Sequence, residues 1–348
     1  MKRLDCKALH YQWGRKGAES TVAQLRKDTI EEDEFYAELW MGTHARGPSQ
    51  VKEGEARIPL ADYFRDHPDV LGQHERDGVG LQFLLKVLSV GKCLSLQLHP
   101  TREQARELHA ADQTNYPDAN HKPELTIALT NFEILCGFQM PDKILSNLRS
   151  HEALVELIEE QRSQTDELIM GLSEHFPEDI GILAPLFLNY VKLEPGQATF
   201  LGPNEPHSYL SGDCIECMAQ SDNTVRAGLT PKFKNIPLFC ENLTYRMGGP
   251  PIFEPQHLAD GVDEYSPEVQ EFAVHKLNKE VSVVQPIAAA SILIVVNGSA
   301  TILPDGGNEE KIEKGDVLLL PQQLGAKLNE KSDDFLAFRA YTPPPKEK

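Results

Sequence analysis

Residues 191–203 read VKLEPGQATFLGP. Apolar and polar positions alternate into a turn at Glu194-Pro195-Gly196, and a second apolar run, Ala198 to Leu201, leads out of it toward Gly202-Pro203. This is the pattern of two short strands joined by a tight turn. The pattern returns at an offset of 119 (312 less 193), where Ile312-Glu313-Lys314-Gly315 runs on into Val317 to Leu320 and then Pro321. A turn, a buried strand and a Pro-containing turn, twice in one chain, predict a mainly β protein built of two small β-barrels or jelly rolls. The same offset lays His207 on Ala326, and no histidine follows His275. Of two related barrels, only the first could then carry a histidine-based metal site.

Working outward, GLQFLLKVLSVGKCLSLQL (80–98) reads as two buried strands punctuated by Gly91-Lys92. Thr101 with Gln104 three residues on is a capping-box pattern and predicts a short helix after Pro100. From Asp142 the period changes. Ile144, Leu145 and Leu148, then Leu154, Val155, Leu157 and Ile158, then Leu168, Ile169 and Leu172, predict two or three amphipathic helices inserted between β segments. Beyond Glu254, short strands and Gly, Asn and Pro turns return.

Composition narrows the function classes. With 34 Lys+Arg against 53 Asp+Glu in 348 residues, the net charge of −19 offers no basic footprint for nucleic acid or anionic lipid. No apolar h-region follows Met1-Lys2-Arg3, and no run of about 18 apolar residues occurs, so a soluble cytoplasmic protein is expected. The six cysteines are too sparse for a disulfide framework and fit reduced thiols.

Several groupings could carry chemistry. Gln97 and His99, two apart on a strand, face the same way, so an amide oxygen and an imidazole nitrogen are presented together. His121-Lys122-Pro123-Glu124 adds a carboxylate, and Pro206-His207-Ser208-Tyr209 adds a second imidazole. Such a set suits a zinc-like ion with an open position; on spacing alone, hydrogen-bonded core side chains explain it equally well. The run from Ser221 to Lys234 places Arg226 and Lys232 among small and polar residues, either as cations for a phosphate or oxyanion or as a solvated loop. Lys86, the single charge in Phe83-Leu84-Leu85-Lys86-Val87-Leu88, either snorkels at a strand end or faces a polar site. Cys214-Ile215-Glu216-Cys217 is no metal clasp, because residues i and i+3 of an extended segment point to opposite faces; Glu216 faces either a cavity or solvent. Gly78-Val79-Gly80 lacks the rest of a dinucleotide fingerprint.

Taken together, these motifs are similar to those of the type I phosphomannose isomerases, members of the cupin superfamily. The resemblance runs through Tyr11-Gln12-Trp13-Gly14, Tyr36 to His44, Leu94 to Pro100, Tyr116 to Glu124, His207 to Leu210 and the string SDNTVRAGLTPKF from Ser221 to Phe233. It implies two cupin barrels with an α-helical insert: a catalytic barrel from residues 1–140 plus 188–250, the insert at 141–187, and a metal-free C-terminal barrel at 251–348. It also implies one zinc ion per chain, held by Gln97, His99, Glu124 and His207, with Arg226 as the catalytic arginine. The implied reaction interconverts mannose 6-phosphate and fructose 6-phosphate through an enediol(ate) and supplies mannose donors for glycosylation. Lys122 and Glu216 are the candidates for proton transfer, and Ser95, Lys232, Tyr209 and Lys86 for substrate binding. The expected partner is a small sugar phosphate, with no nucleic acid or membrane, and the chain is expected to be a monomer. Thr101-Arg102 departs from the family's usual Asp or Asn followed by Lys.

A non-catalytic bicupin would have no reason to assemble these residues, and a cupin iron oxygenase would more usually show two histidines and one carboxylate alone. The acidity is compatible with an anionic substrate because it is uneven. Residues 141–190 and 251–348 carry −7 each, and the remaining 200 residues, which hold every proposed site residue, carry −5. Repulsion from the distant charge is screened over about 8 Å at physiological salt.

Overall fold

The computed structural model describes residues 1–77, 80–154 and 164–344. Val155, Leu157 and Ile158 of the expected helical pattern, and Gly78-Val79, lie outside the described residues. The fold is mainly β, and the chain forms two compact units: Met1–Ser89 with Ile215–Gln220 and Phe253–Lys348, and Val90–Cys214 with Ser221–Ile252.

In the first unit a nine-stranded antiparallel sheet runs Gln256–Ala259, Val262–Tyr265, Ala273–Asn278, Leu336–Tyr341, Ser291–Asn297, Val317–Leu320, Lys2–Asp5, Gln50–Glu53 and Ala56–Pro59. A second sheet of four strands packs its apolar face against it. Leu293, Val295, Leu318 and Ala337 of the large sheet share one core with Ala300, Ile302, Ile312 and Leu328 of the small one. This double-sheet arrangement closes over the apolar face that each alternating strand presents. The strand Lys2–Asp5 pairs with Val317–Leu320, Lys2 opposite Leu319, so the first residues complete the sheet of the last hundred.

The second unit is built of the antiparallel series Leu188–Leu193, Phe132–Phe138, the start of His207–Ala219, Leu96–Leu98 and Val225–Gly228, with Glu124–Ala128 paired to Ala198–Leu201. The capping box forms as expected. Thr101 Oγ1 accepts from Gln104 N while Gln104 Oε1 accepts from Thr101 N, and the helix Arg102–Ala111 follows. The insert holds the helices Pro141–Leu154 and Gln164–His175 and a 3-10 segment, Ile180–Leu186. All six cysteines are free.

The two halves of the sequence repeat share one hydrogen-bond pattern. Gly196 and Gly315 both adopt positive φ, 89° and 88°, and donate to Ala128 O and Val295 O at 2.8 and 2.9 Å. In each turn the residue after the glycine folds its side chain back onto the first turn amide: Glu194 N donates to Gln197 Oε1, and Glu313 N to Asp316 Oδ2. A left-handed residue with this backbone is why glycine recurs at that place. Matching Val295 with Ala128 lays Ser291 on Glu124, and these residues face Leu320 and Leu201 in the two registers. The second barrel thus has a serine where the first has a carboxylate, and Ala326 where the first has His207. Its Ser291 Oγ accepts from the Nε of Arg339, a fully buried arginine.

One buried acid ties the first unit together. Glu75 Oε2 accepts from Gly72 N and Ala290 N, both at 2.8 Å, and burial pushes the carboxyl up to about 7. The folded state therefore keeps a proton that the unfolded chain releases near 4.5. Stability from this group is full below that value and declines as pH rises to about 7, by about 3 kcal/mol. Glu75→Gln keeps an acceptor for both amides. Urea unfolding from pH 4.5 to 8 is expected to show the wild type losing stability relative to this variant, and parallel curves would contradict it.

Candidate metal centre

The strand Leu96–Leu98 lies between His207–Ala219 and Val225–Gly228. Gln97 is directly opposite His207 on one side and Arg226 on the other. Cross-strand partners share a face, so these three side chains and that of His99 converge. His99 and His207 are buried, their ring centroids 5.1 Å apart, and Glu124 is 1% exposed. Glu124 Oε2 lies 3.3 Å from His99 Nε2 and 3.5 Å from His207 Nε2, and Gln97 Nε2 lies 3.5 and 3.3 Å from the same two nitrogens.

The far side of each imidazole defines the proton inventory. His99 Nδ1 is 2.8 Å from Asn223 O, and His207 Nδ1 is 3.0 Å from Glu205 O. A carbonyl oxygen only accepts, so each Nδ1 carries a proton, and in the neutral ring Nε2 then turns a lone pair inward. Burial pushes His99 down to about 4, which keeps its ring neutral at physiological pH. Burial also opposes the charge of Glu124. Lys122, whose Nζ is 2.7 Å from Glu124 Oε1, leads the groups that outweigh it, and the carboxyl stays well below its ordinary value. Glu124 Oε2 accepts no hydrogen bond. Two imidazole nitrogens and a carboxylate oxygen therefore meet in a buried space, an arrangement that a divalent cation stabilises. A carboxamide can present either end. In the structure Ser95 Oγ donates to Gln97 Oε1 at 2.7 Å; with the carboxamide turned over, Oε1 would face the imidazoles as a fourth oxygen donor for a cation and Nε2 would donate to Ser95 Oγ. Among the described residues His99, Glu124 and His207 form the one His/Cys/Asp/Glu group of this kind.

The remaining expected site residues fall into four places. Lys122 and Ser95 adjoin the cluster through Glu124 and Gln97. Tyr209, two along the strand from His207, shares a 2.5 Å hydrogen bond between its hydroxyl and that of Thr126, which is two along from Glu124. Lys232 is exposed on the turn after Val225–Gly228, its amide donating to Thr230 Oγ1.

Lys86 and Glu216, both in the first unit, pair with each other. Lys86 Nζ is 2.7 Å from Glu216 Oε2, 3.5 Å from Glu38 Oε2 and 5.2 Å from the Trp40 ring, and Trp40 Nε1 donates to Glu38. The lysine thus faces a polar site instead of snorkelling, and Glu216 faces that lysine. Lys86→Met strands two buried carboxylates, and thermal unfolding is expected to show a loss of about 3–5 kcal/mol, part of it recovered by Lys86→Met with Glu216→Gln. An unchanged melting temperature for Lys86→Met would contradict this role.

The departure at Thr101-Arg102 has a local account. Thr101 caps its helix, and Arg102 donates to Asn120 Oδ1 at 3.1 Å and lies 2.7 Å from His121 Nε2, holding the turn before Lys122. Sequence reasoning assigned no role to Asp118 and Asn223. Their signal was a cluster of short polar side chains in two loops, Asp118-Ala119-Asn120 and Ser221-Asp222-Asn223, that the structure joins.

Comparison with known proteins follows the same lines. The model of the phosphomannose isomerase type I catalytic domain matches residues 1–140. The chain is 37% identical to mannose-6-phosphate isomerase of Mus musculus, covering 97% of each. A variant phosphomannose isomerase from Salmonella typhimurium superposes with a TM-score of 0.88 at 25% identity, over 99% of this chain and all of that one. A mannose 6-phosphate isomerase bound with zinc and yttrium gives 0.85 at 27% identity, over 99% of this chain and all of that one.

Proposed function

Since this chain belongs to the type I phosphomannose isomerases, aldose–ketose isomerases that act on a sugar phosphate, we propose that it works with one zinc ion held by Gln97, His99, Glu124 and His207. The observation that carries this reading is the buried Glu124 Oε2, which accepts no hydrogen bond and faces two imidazole lone pairs.

Interconversion of mannose 6-phosphate and fructose 6-phosphate requires an open chain, loss of a proton from the carbon beside a carbonyl, and delivery of a proton to the neighbouring carbon. When bound, zinc supplies positive charge that polarises or orients the carbonyl and hydroxyl oxygens. Arg226, opposite Gln97 in register, offers a permanent cation to the enediolate oxygen. For proton transfer we favour Lys122, whose ammonium already lies on Glu124, over Glu216, whose carboxylate is held by Lys86. Lys232 on its exposed turn is our first choice for the phosphate. Ser95, within hydrogen-bond reach of the Gln97 carboxamide, orients that ligand, and Tyr209 backs Thr126. We place the protein in the cytoplasm as a monomer, supplying mannose donors for glycosylation. No helix among the described residues is long and apolar enough to cross a membrane.

A metal analysis of the purified protein combined with a coupled assay on mannose 6-phosphate tests the reading. About one zinc per chain and fructose 6-phosphate formation are expected. Iron with oxygen consumption, or sugar-phosphate binding without turnover, would replace it.

A further inference from the structure

The two imidazoles of the cluster are oriented by very different means. His207 points its Nδ1 at the carbonyl of Glu205, two residues back in its own chain segment. His99 points its Nδ1 at the carbonyl of Asn223, 124 residues away in an irregular loop. Something must hold that carbonyl still, and the hydrogen bonds lead to one half-buried carboxylate. Asp118 Oδ1 accepts from Asn120 N at 2.9 Å, Ser221 Oγ at 2.9 Å and Asn223 Nδ2 at 3.2 Å, while Oδ2 accepts from Asp222 N at 2.8 Å. Asn223 Nδ2 also donates to Asp118 O at 2.6 Å and Asn120 O at 2.9 Å. Asn223 N donates to Ser221 Oγ, which closes the loop on itself. Asn223 and Ser221 are buried, so these bonds meet little competition from water.

We propose that Asp118 is a positioning residue of the metal centre: it fixes the Asn223 carbonyl, and through it the tautomer and ring angle of His99. This rests on the reading that the cluster holds a metal. If the carbonyl swings away, His99 can carry its proton on Nε2, and a protonated Nε2 has no lone pair for a cation. Arg102 braces the same turn through Asn120, so Asp118 and Arg102 hold the 118–121 loop from two sides. No step of the isomerisation passes through Asp118.

The test measures zinc affinity by chelator competition at neutral pH, the visible spectrum of the cobalt-substituted protein, and the melting temperature of the metal-free protein, for wild type, Asp118→Ala and Asp118→Asn. Asp118→Ala is expected to weaken zinc binding by about 10–100-fold and to change the cobalt bands. Asp118→Asn retains one carbonyl oxygen for three of the four donors and is expected to fall between. A carboxylate that merely held two loops together would lower the melting temperature while leaving zinc affinity and the cobalt spectrum as in wild type, and that result would overturn the proposal. Should the alanine variant fail to fold, the asparagine variant decides on the same two readouts. A wild-type protein that binds no zinc would instead remove the metal reading, an outcome visible before any variant is made.

Discussion

Stripping the protein with a chelator is expected to lower interconversion of mannose 6-phosphate and fructose 6-phosphate by at least about 10³-fold, and added zinc to restore it. Glu124→Gln should do the same without a chelator. Two imidazole Nε2 atoms and one carboxylate oxygen meet in a buried space, and the carboxyl is held well below its ordinary value because Lys122 and the neighbouring imidazoles together outweigh its burial. Glutamine keeps the shape but removes the charge, and it can turn an N–H₂ toward the imidazoles, closing the site with a hydrogen bond. Binding should also be visible as stability: zinc at 1,000 times its dissociation constant adds about 4 kcal/mol if the unfolded chain does not bind it. A metal-free protein with full activity would refute the zinc centre, and a Glu124→Gln protein with wild-type zinc affinity would refute the ligand set.

Arg226→Ala is expected to reduce kcat by about 10²–10³-fold, the range for removing one fixed donor from a developing oxyanion. Zinc content and circular dichroism should stay as in wild type, because Arg226 is only half-buried and the strand's registered pairing with Leu96–Leu98 is made by backbone. Arg226→Lys should recover little, since an ammonium offers a point charge where the guanidinium offers a planar fork. A kcat for Arg226→Ala within a few-fold of wild type would remove the arginine from the chemistry. A rise in KM with kcat unchanged would make it a ground-state binding group.

Much of the site is legible in the sequence because its pieces obey local rules. Gln97 and His99 share a face by strand alternation, and the structure brings their side chains within 3.5 Å. The glycine of the repeated turn announced two barrels because a left-handed backbone position restricts residue choice, and Gly196 and Gly315 agree within one degree in φ. Thr101 and Gln104 marked a helix start for a similar reason.

Other features had no local signature. Lys86 left two alternatives in the sequence, and what settles them is two carboxylates brought by other strands, one of them 130 residues further on. The pairing of Lys2–Asp5 with Val317–Leu320 is equally invisible, since a strand's alternation says which face is apolar but not which edge it will join.

The mainly β fold with its helical insert and the shared face of Gln97 and His99 were readable from the sequence alone, and the reaction through its resemblance to a known family. The strand and helix patterns and the shared face follow from short-range backbone geometry, whereas the reaction rests on the likeness of the motifs to a known family. Only the tertiary structure decided which nitrogen of each imidazole bears the proton, that Glu124 keeps its charge, that Glu216 answers Lys86, and that Asp118 stands behind His99. Those depend on the distances of carbonyls and charges from chain segments far apart in sequence, and electrostatic and hydrogen-bond energies are set by such distances, not by order along the chain.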